Sequence, residues 1–304
     1  MNCRALEFRG PLTDGSVERA FAESVKALLR FDGACTPRNA AMDRRCRSSR
    51  NCHRLLPALG YVPAISSDPL ANTPGEHHMP RLVDRDIEGL RELALRMGTL
   101  AEAILAKSLR AVTERDIRLA NEVQSDDLEI DRLDLAIDEV VLSILATKAP
   151  VAADLRFVMG TKTMATDIER VGDLARNIGK AAIRLAQSPI ELPPKLAELA
   201  TQSARLFRKA LDSYANTDAA LAREVLAQDD IIDEGESRVI RDAIAEIAAH
   251  PEISSQEVDL ILIAKNLERV GDHATNIAED VILMAEALNL KHADKLAAST
   301  ARQS

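Results

Sequence analysis

The chain has 304 residues, 46% of them hydrophobic but only 2% aromatic, with no tryptophan and a formal charge of −9. That length holds one large or two modest domains, and small aliphatic residues with sparse glycine are the composition of a helical bundle. The acidic balance argues against sequence-independent nucleic-acid binding, which needs a Lys/Arg footprint. No run approaches the ~18 consecutive apolar residues of a membrane span, and the N-terminus lacks a secretory apolar run, so the expected location is the cytoplasm.

Residues 1–78 differ from the remainder. They hold all four cysteines (Cys3, Cys35, Cys46 and Cys52), many of the prolines and the basic run Arg44-Arg45-Cys46-Arg47. The cysteine spacings make no C-x-x-C pair, which argues against a zinc ribbon. A short helix around Val17–Leu29 is the one periodic stretch. Three readings fit the segment: a functional basic tail, a disordered extension, or a start placed too far upstream with the protein beginning shortly before Met79. Composition supports only that it stands outside the core.

From about Val83 the pattern is helical. Ile87, Leu90, Leu93, Leu95, Met97, Leu100, Ala101 and Ile104 recur at helical spacing and predict a first helix. Thr113 with Asp116 resembles a capping box that opens a second helix, running through Leu119, Val123, Ile130, Leu133, Ile137, Val140 and Ile144. Pro150 predicts a break, and a third helix follows over about 151–186. The Ser188-Pro189 to Pro193-Pro194 stretch separates two halves. The second half repeats the scheme with helices over 197–214 and 218–249, a break at Pro251, and a last helix over about 254–288.

The halves look duplicated. Glu169-Arg170-Val171-Gly172-Asp173-Leu174-Ala175-Arg176-Asn177-Ile178 and Glu268-Arg269-Val270-Gly271-Asp272-His273-Ala274-Thr275-Asn276-Ile277 agree at eight of ten positions. The second helices also align: Asp116 with Asp218, Glu122 with Glu224, Asp127 with Asp229, and Asp131 with Asp233. The predicted fold is therefore all-α, two tandem three-helix bundles related by duplication. The predicted boundaries are 1–78 for the extension, 79–187 for the first bundle, and 188–304 for the second with a short tail.

Each signature helix stacks a Glu and an Asp at i, i+4. A helical wheel turns Met164, Ile168, Val171, Ala175 and Ile178 inward and predicts that Glu169, Asp173 and Asn177 face outward. Glu268, Asp272, Asn276 and Asp280 continue the ladder in the second copy. A solvated acidic face is the ordinary meaning of such charge. Like charges at i, i+4 cost a few tenths of a kcal/mol, about the size of a favourable pair, and the same ladder occurs twice. Hard carboxylate oxygens suit a cation that would relieve the repulsion. Asp134 and Asp138 on the second helix offer partners in the first half. In the second, Glu236 matches Asp134 but Ile240 replaces Asp138, so a second site would have fewer ligands. Gly172 and Gly271 each cost about 1 kcal/mol inside a helix relative to Ala, so a close approach to the backbone is expected there. His273 is expected to be exposed. No E-x-x-H, phosphate loop, nucleophile elbow or H-E-x-x-H occurs, so the chain is read as a non-enzyme.

Residues 81 to about 288 resemble the phosphate-uptake regulator (PhoU) family, on the two signatures and on Ala149-Pro150-Val151-Ala152-Ala153-Asp154-Leu155-Arg156, which looks like that family's loop into the third helix. The resemblance implies a negative regulator of the phosphate-starvation response and of phosphate uptake. Such a protein links the phosphate ABC transporter ATPase to a sensor histidine kinase, peripherally at the inner membrane. It also implies multinuclear metal clusters, iron favoured over manganese, magnesium, zinc or nickel. Carried over by position, the ligands are Asp134, Asp138, Glu169 and Asp173 in one half, and Glu236, Glu268 and Asp272 in the other. An exposed edge of an Ala-rich bundle predicts a homodimer. The alternatives are a metal-binding helical protein of metal or phosphate homeostasis without a kinase, a metal-dependent phosphatase or oxidase, and a bundle whose acids are merely solvated.

Overall fold

The structure, a computed structural model, describes residues 82–187 and 190–290, which belong to one compact unit. The expectations placed on residues 1–78 lie outside the described residues. Every regular element among those described is helical: α1 (Leu82–Glu114), α2 (Ile117–Lys148), α3 (Ala152–Leu185), α4 (Pro194–Asn216), α5 (Ala219–Leu226), α6 (Asp229–Ala249), a 3-10 turn (Pro251–Ile253) and α7 (Ser254–Glu286). Helices α1, α2 and α3 pack on one another as the first unit, and α4 to α7 form the second.

The duplication extends to the caps. Asp116 accepts from the backbone N–H groups of Arg118 and Leu119, and Asp218 from those of Ala220 and Leu221. The residues before them, Arg115 and Thr217, take the same left-handed conformation (φ 52° and 51°). An aspartate that satisfies two orphan donors is worth about 1 kcal/mol over alanine, and it opens the second helix in both halves. Thr113 is not the cap: it lies inside α1, where its hydroxyl donates to the Leu109 carbonyl 3.0 Å away.

One expected helix is two. The stretch 218–249 divides at Ala227–Gln228, where the Gln228 N–H reaches Val225 O (3.0 Å) and the Ile231 N–H reaches Gln228 O (3.2 Å). In α2 the equivalent turn is tied down by Lys107, which holds both Glu122 (3.3 Å) and Asp126 (2.5 Å). Its counterpart Lys209 holds Glu224 (2.6 Å), while Gln228, standing where Asp126 does, donates its side-chain amide to the Glu224 carbonyl. That side-chain bond competes with the helical ladder at the break.

A single hydrophobic cluster runs through both halves. Buried alanines such as Ala94, Ala101, Ala120, Ala165 and Ala175 let the helices approach closely, and Leu90, Ile104, Ile130, Ile137 and Ile178 interdigitate between them. Each such Leu or Ile contributes about 1.5–3 kcal/mol on burial.

The signature helices α3 and α7 form the most extensive pair and run antiparallel. Arg184 donates to Asp259 (2.8 Å from Nε) at one end, and Gly160 opens space for Met284 at the other. Midway, His273 Nδ1 lies 2.7 Å from Asp167 Oδ1, and the Asn276 amide donates to the same oxygen at 3.1 Å. His273 is therefore half-buried and bonded rather than exposed. Arg91 adds a further tie, its guanidinium 4.6 Å from the Phe157 ring centre and 5.9 Å from that of Tyr214.

Candidate metal centre in duplicated acidic seams

The glycine in each signature marks a close approach by the second helix of its own half. A methyl on Gly172 would lie 2.7 Å from Asp127 Oδ1 and 2.8 Å from Ile130 Cδ1; on Gly271 it would lie 3.1 Å from Ile232 Cγ2. Ile130 and Ile232 are equivalent positions in α2 and α6. This docking sets two lines of carboxylates side by side: Asp127, Asp131 and Asp134 with Glu169 and Asp173, and Asp229, Asp233 and Glu236 with Glu268 and Asp272.

Glu169 and Asp173 are consequently half-buried flanks of the α2–α3 seam, not an outward face. The ladder is also not continuous. Asn177 is exposed, Asn276 is bonded to Asp167, and Asp280 is buried. The wheel failed because it has one packing partner in view, whereas α3 and α7 each meet helices on several sides.

The first seam is neutralised from within. Lys162 lies 3.3 Å from Asp134 and 2.5 Å from Asp138. Arg176 lies 2.8 Å from Asp127 and 2.5 Å from Asp173, and Arg170 is 3.4 Å from both Glu169 and Asp173. Asp127 is 2% exposed, and burial pushes its carboxyl up against the opposing pull of Arg176. Burial also raises Glu169, helped by the Asp173, Asp131 and Asp134 charges.

The second seam keeps its acids and has lost most of its bases. Thr275 stands where Arg176 does, and Ile261 where Lys162 does. The Ile240 that replaces Asp138 thus falls opposite a second replacement, so the acid and its lysine partner are lost together. Arg269 is kept where Arg170 stands, and Lys265, whose counterpart is Thr166, lies 2.5 Å from Glu236. Burial raises Asp229, and Asp233, Asp272, Asp230 and Glu279 add to it. Glu268 is raised by burial, then by Asp272 and Glu236, against Lys265. Asp272 keeps an exposed edge, yet surrounding atoms desolvate it and Asp233 pushes it further up, against His273 and Arg269.

Of the seven sequence candidates, the structure brings Asp134 and Asp173 to Glu169, and Glu236 and Asp272 to Glu268, while Asp138 shares Lys162 with Asp134. Asp127, Asp131, Asp229 and Asp233 join the seams without having been singled out. Their signal was present in the alignment of the two second helices. Among the described residues no three His, Cys, Asp or Glu side chains converge as a ready metal-binding group. The donor set still suits a hard cation: five carboxylates per seam, with a single lysine bridging the second.

The fold and its paired seams define a class: duplicated six-helix-type bundles whose two signature helices pack antiparallel and carry matching E-x-x-x-D acids. The PhoU domain pattern matches residues 94–182 and 196–281, and the chain belongs to the PhoU family. The Rhizobium meliloti protein named phosphate-specific transport system accessory protein PhoU homolog is 36% identical over 210 residues, covering 68% of this chain and 89% of that protein. The homolog of that name from Pseudomonas aeruginosa is 32% identical, over 71% of this chain and 90% of its own length. The crystal structure of PhoU from Pseudomonas aeruginosa superposes with a TM-score of 0.66 at 30% identity, covering 67% of this chain and 99% of that one. The phosphate transport system regulatory protein PhoU from Streptococcus pneumoniae has the same fold (TM-score 0.65, 24% identity, 68% of this chain and 99% of that one).

Proposed function

We propose that the chain is a negative regulator of phosphate uptake and of the phosphate-starvation response. It acts by binding rather than turnover, as an adaptor between a phosphate ABC transporter ATPase and a sensor histidine kinase. The observation that carries this reading is the pair of duplicated acidic seams in a chain whose relatives are named accessory proteins of phosphate-specific transport. No described helix is long and apolar enough to cross a membrane, which fits peripheral contact with membrane complexes through partners. The adaptor is a homodimer.

Multinuclear metal, iron favoured, belongs to the same proposal. Asp229, Asp233, Glu236, Glu268 and Asp272 would hold it in one half; Asp131, Asp134, Glu169 and Asp173, with Asp138 released from Lys162, would do so in the other. The cation's contribution is positive charge where the chain supplies little. The base-poor second seam also favours the alternative, a metal-binding protein of phosphate or metal homeostasis without a kinase.

The test is genetic and biochemical together. Deleting the gene should switch on a phosphate-starvation reporter in phosphate-rich cells, and the restored gene should silence it. A reporter indifferent to the deletion, with no capture of ATPase or kinase by the purified chain, would sink the adaptor reading. Metal analysis of the purified chain, with Glu169→Gln/Asp173→Asn as one variant and Glu268→Gln/Asp272→Asn as another, tests the seams separately.

A further inference from the structure

Helix α2 carries Leu128, Leu135 and Leu142 on its solvent side, 53%, 64% and 66% exposed. They are seven residues apart, so they form one stripe along the helix. The inward face of α2 is already filled by Val123, Ile130, Leu133, Ile137, Val141 and Ile144. The internal repeat supplies a control, because α6 has Asp230, Ser237 and Ile244 at the equivalent positions. A three-helix unit of this family therefore packs without a leucine stripe there, and the three leucines need another explanation.

The stripe is also charged in an ordered way. Arg132 follows Leu128 by four residues, and Glu139 follows Leu135 by four, so the face reads Leu, Arg, Leu, Glu, Leu at alternating four- and three-residue steps, the spacing of a coiled-coil seam. Both charged residues are exposed, and Arg132 is engaged only with Glu129 of its own helix, 3.1 Å away. Such an exposed pair is readily exchanged.

We propose that this stripe is where a second copy of the chain docks, α2 against α2 in antiparallel orientation about a two-fold axis at Leu135. Reversed about Leu135, the pattern is its own complement. Leu128 meets Leu142 of the second copy, Leu135 meets its equivalent, and Arg132 meets Glu139. A parallel pairing would instead set Arg132 on Arg132 and Glu139 on Glu139. Self-complementarity under reversal is the requirement of a closed two-fold interface, and a different protein would impose no such symmetry. The inference rests on the homodimer named above and identifies its surface.

Sedimentation velocity of the full chain over a concentration series tests it, with circular dichroism confirming that each variant keeps its helix content. The wild type should be dimeric. Leu135→Arg should raise the dimer dissociation constant by at least about tenfold. Arg132→Glu and Glu139→Arg should each weaken the dimer, and the double exchange should restore it. A dimer unchanged in Leu135→Arg overturns this surface while leaving the homodimer intact. A wild-type chain that stays monomeric throughout overturns both. A monomer whose capture by the transporter ATPase is lost in Leu135→Arg assigns the stripe to that partner and overturns self-pairing. Single charge reversals that weaken the dimer without rescue by the double exchange overturn the antiparallel register.

Discussion

The two signature glycines occupy equivalent positions, yet alanine should affect them differently. An alanine inside a helix gains about 1 kcal/mol over glycine, and forcing a methyl into a full contact loses about 1–3 kcal/mol. At Gly172 the methyl meets Asp127 Oδ1 at 2.7 Å and Ile130 Cδ1 at 2.8 Å. Ile130 is fully buried and Asp127 nearly so, its carboxylate held by Arg176, so neither neighbour retreats freely. Gly172→Ala should therefore lose a net ~1–2 kcal/mol. At Gly271 the nearest atom is Ile232 Cγ2 at 3.1 Å, and a shift of a few tenths of an ångström relieves it. There the two effects nearly cancel, and Gly271→Ala should lie within about 0.5 kcal/mol of wild type. Urea unfolding of the full chain in metal-free buffer, followed by helical circular dichroism, reads both as midpoint shifts at constant m. A Gly172→Ala chain as stable as wild type, or a more damaging Gly271→Ala, would refute the reasoning.

Glu257 is 6% exposed in the first turn of α7, and burial, then the Glu246 charge, raises its pKa. The folded state then binds more protons than the unfolded one between its ordinary and raised values. Its contribution to stability falls as pH climbs through that window and returns on acidification toward about 4. Glu257→Gln should flatten the dependence as pH rises above the ordinary glutamate value; urea midpoints with unchanged slope in the variant would count against this. Arg184→Ala leaves the Asp259 carboxylate buried without its guanidinium. Since Arg184 is half exposed, the expected loss is the lower end of a charged hydrogen bond, about 1–2 kcal/mol. The Arg184→Ala/Asp259→Ala double variant should lose less than the two singles added, and simple additivity would exclude the coupling. Tyr214 is buried, which pushes its phenol up to about 12. An ultraviolet titration should show it ionising far later than an ordinary tyrosine, and Tyr214→Phe should remove that late step.

Helix existence, the twofold repeat and the family were legible in the chain because they rest on local or self-comparing signals. Apolar spacing marks α1 through α4, Pro150 and Pro251 mark breaks, and two ten-residue segments match without any fold in view. The E-x-x-x-D acids stood out for the same reason. What the helical wheel could not supply was the direction from which neighbours arrive. The wheel turns Glu169 and Asp173 outward, yet they lie in a seam, because α2 closes on Gly172 from a side the wheel leaves open. The helix break at Gln228 turned on which acid a lysine across the bundle can reach, and the deficit of base in the second seam on Thr275 and Ile261 lying near acids from another helix. Sequence by itself determined the duplicated helical frame and its carboxylates, since periodicity and repetition are properties of one chain read in order. Only the tertiary structure decided which carboxylates meet, which are neutralised and which leucines remain outside, because charge and burial depend on distances between helices far apart in sequence.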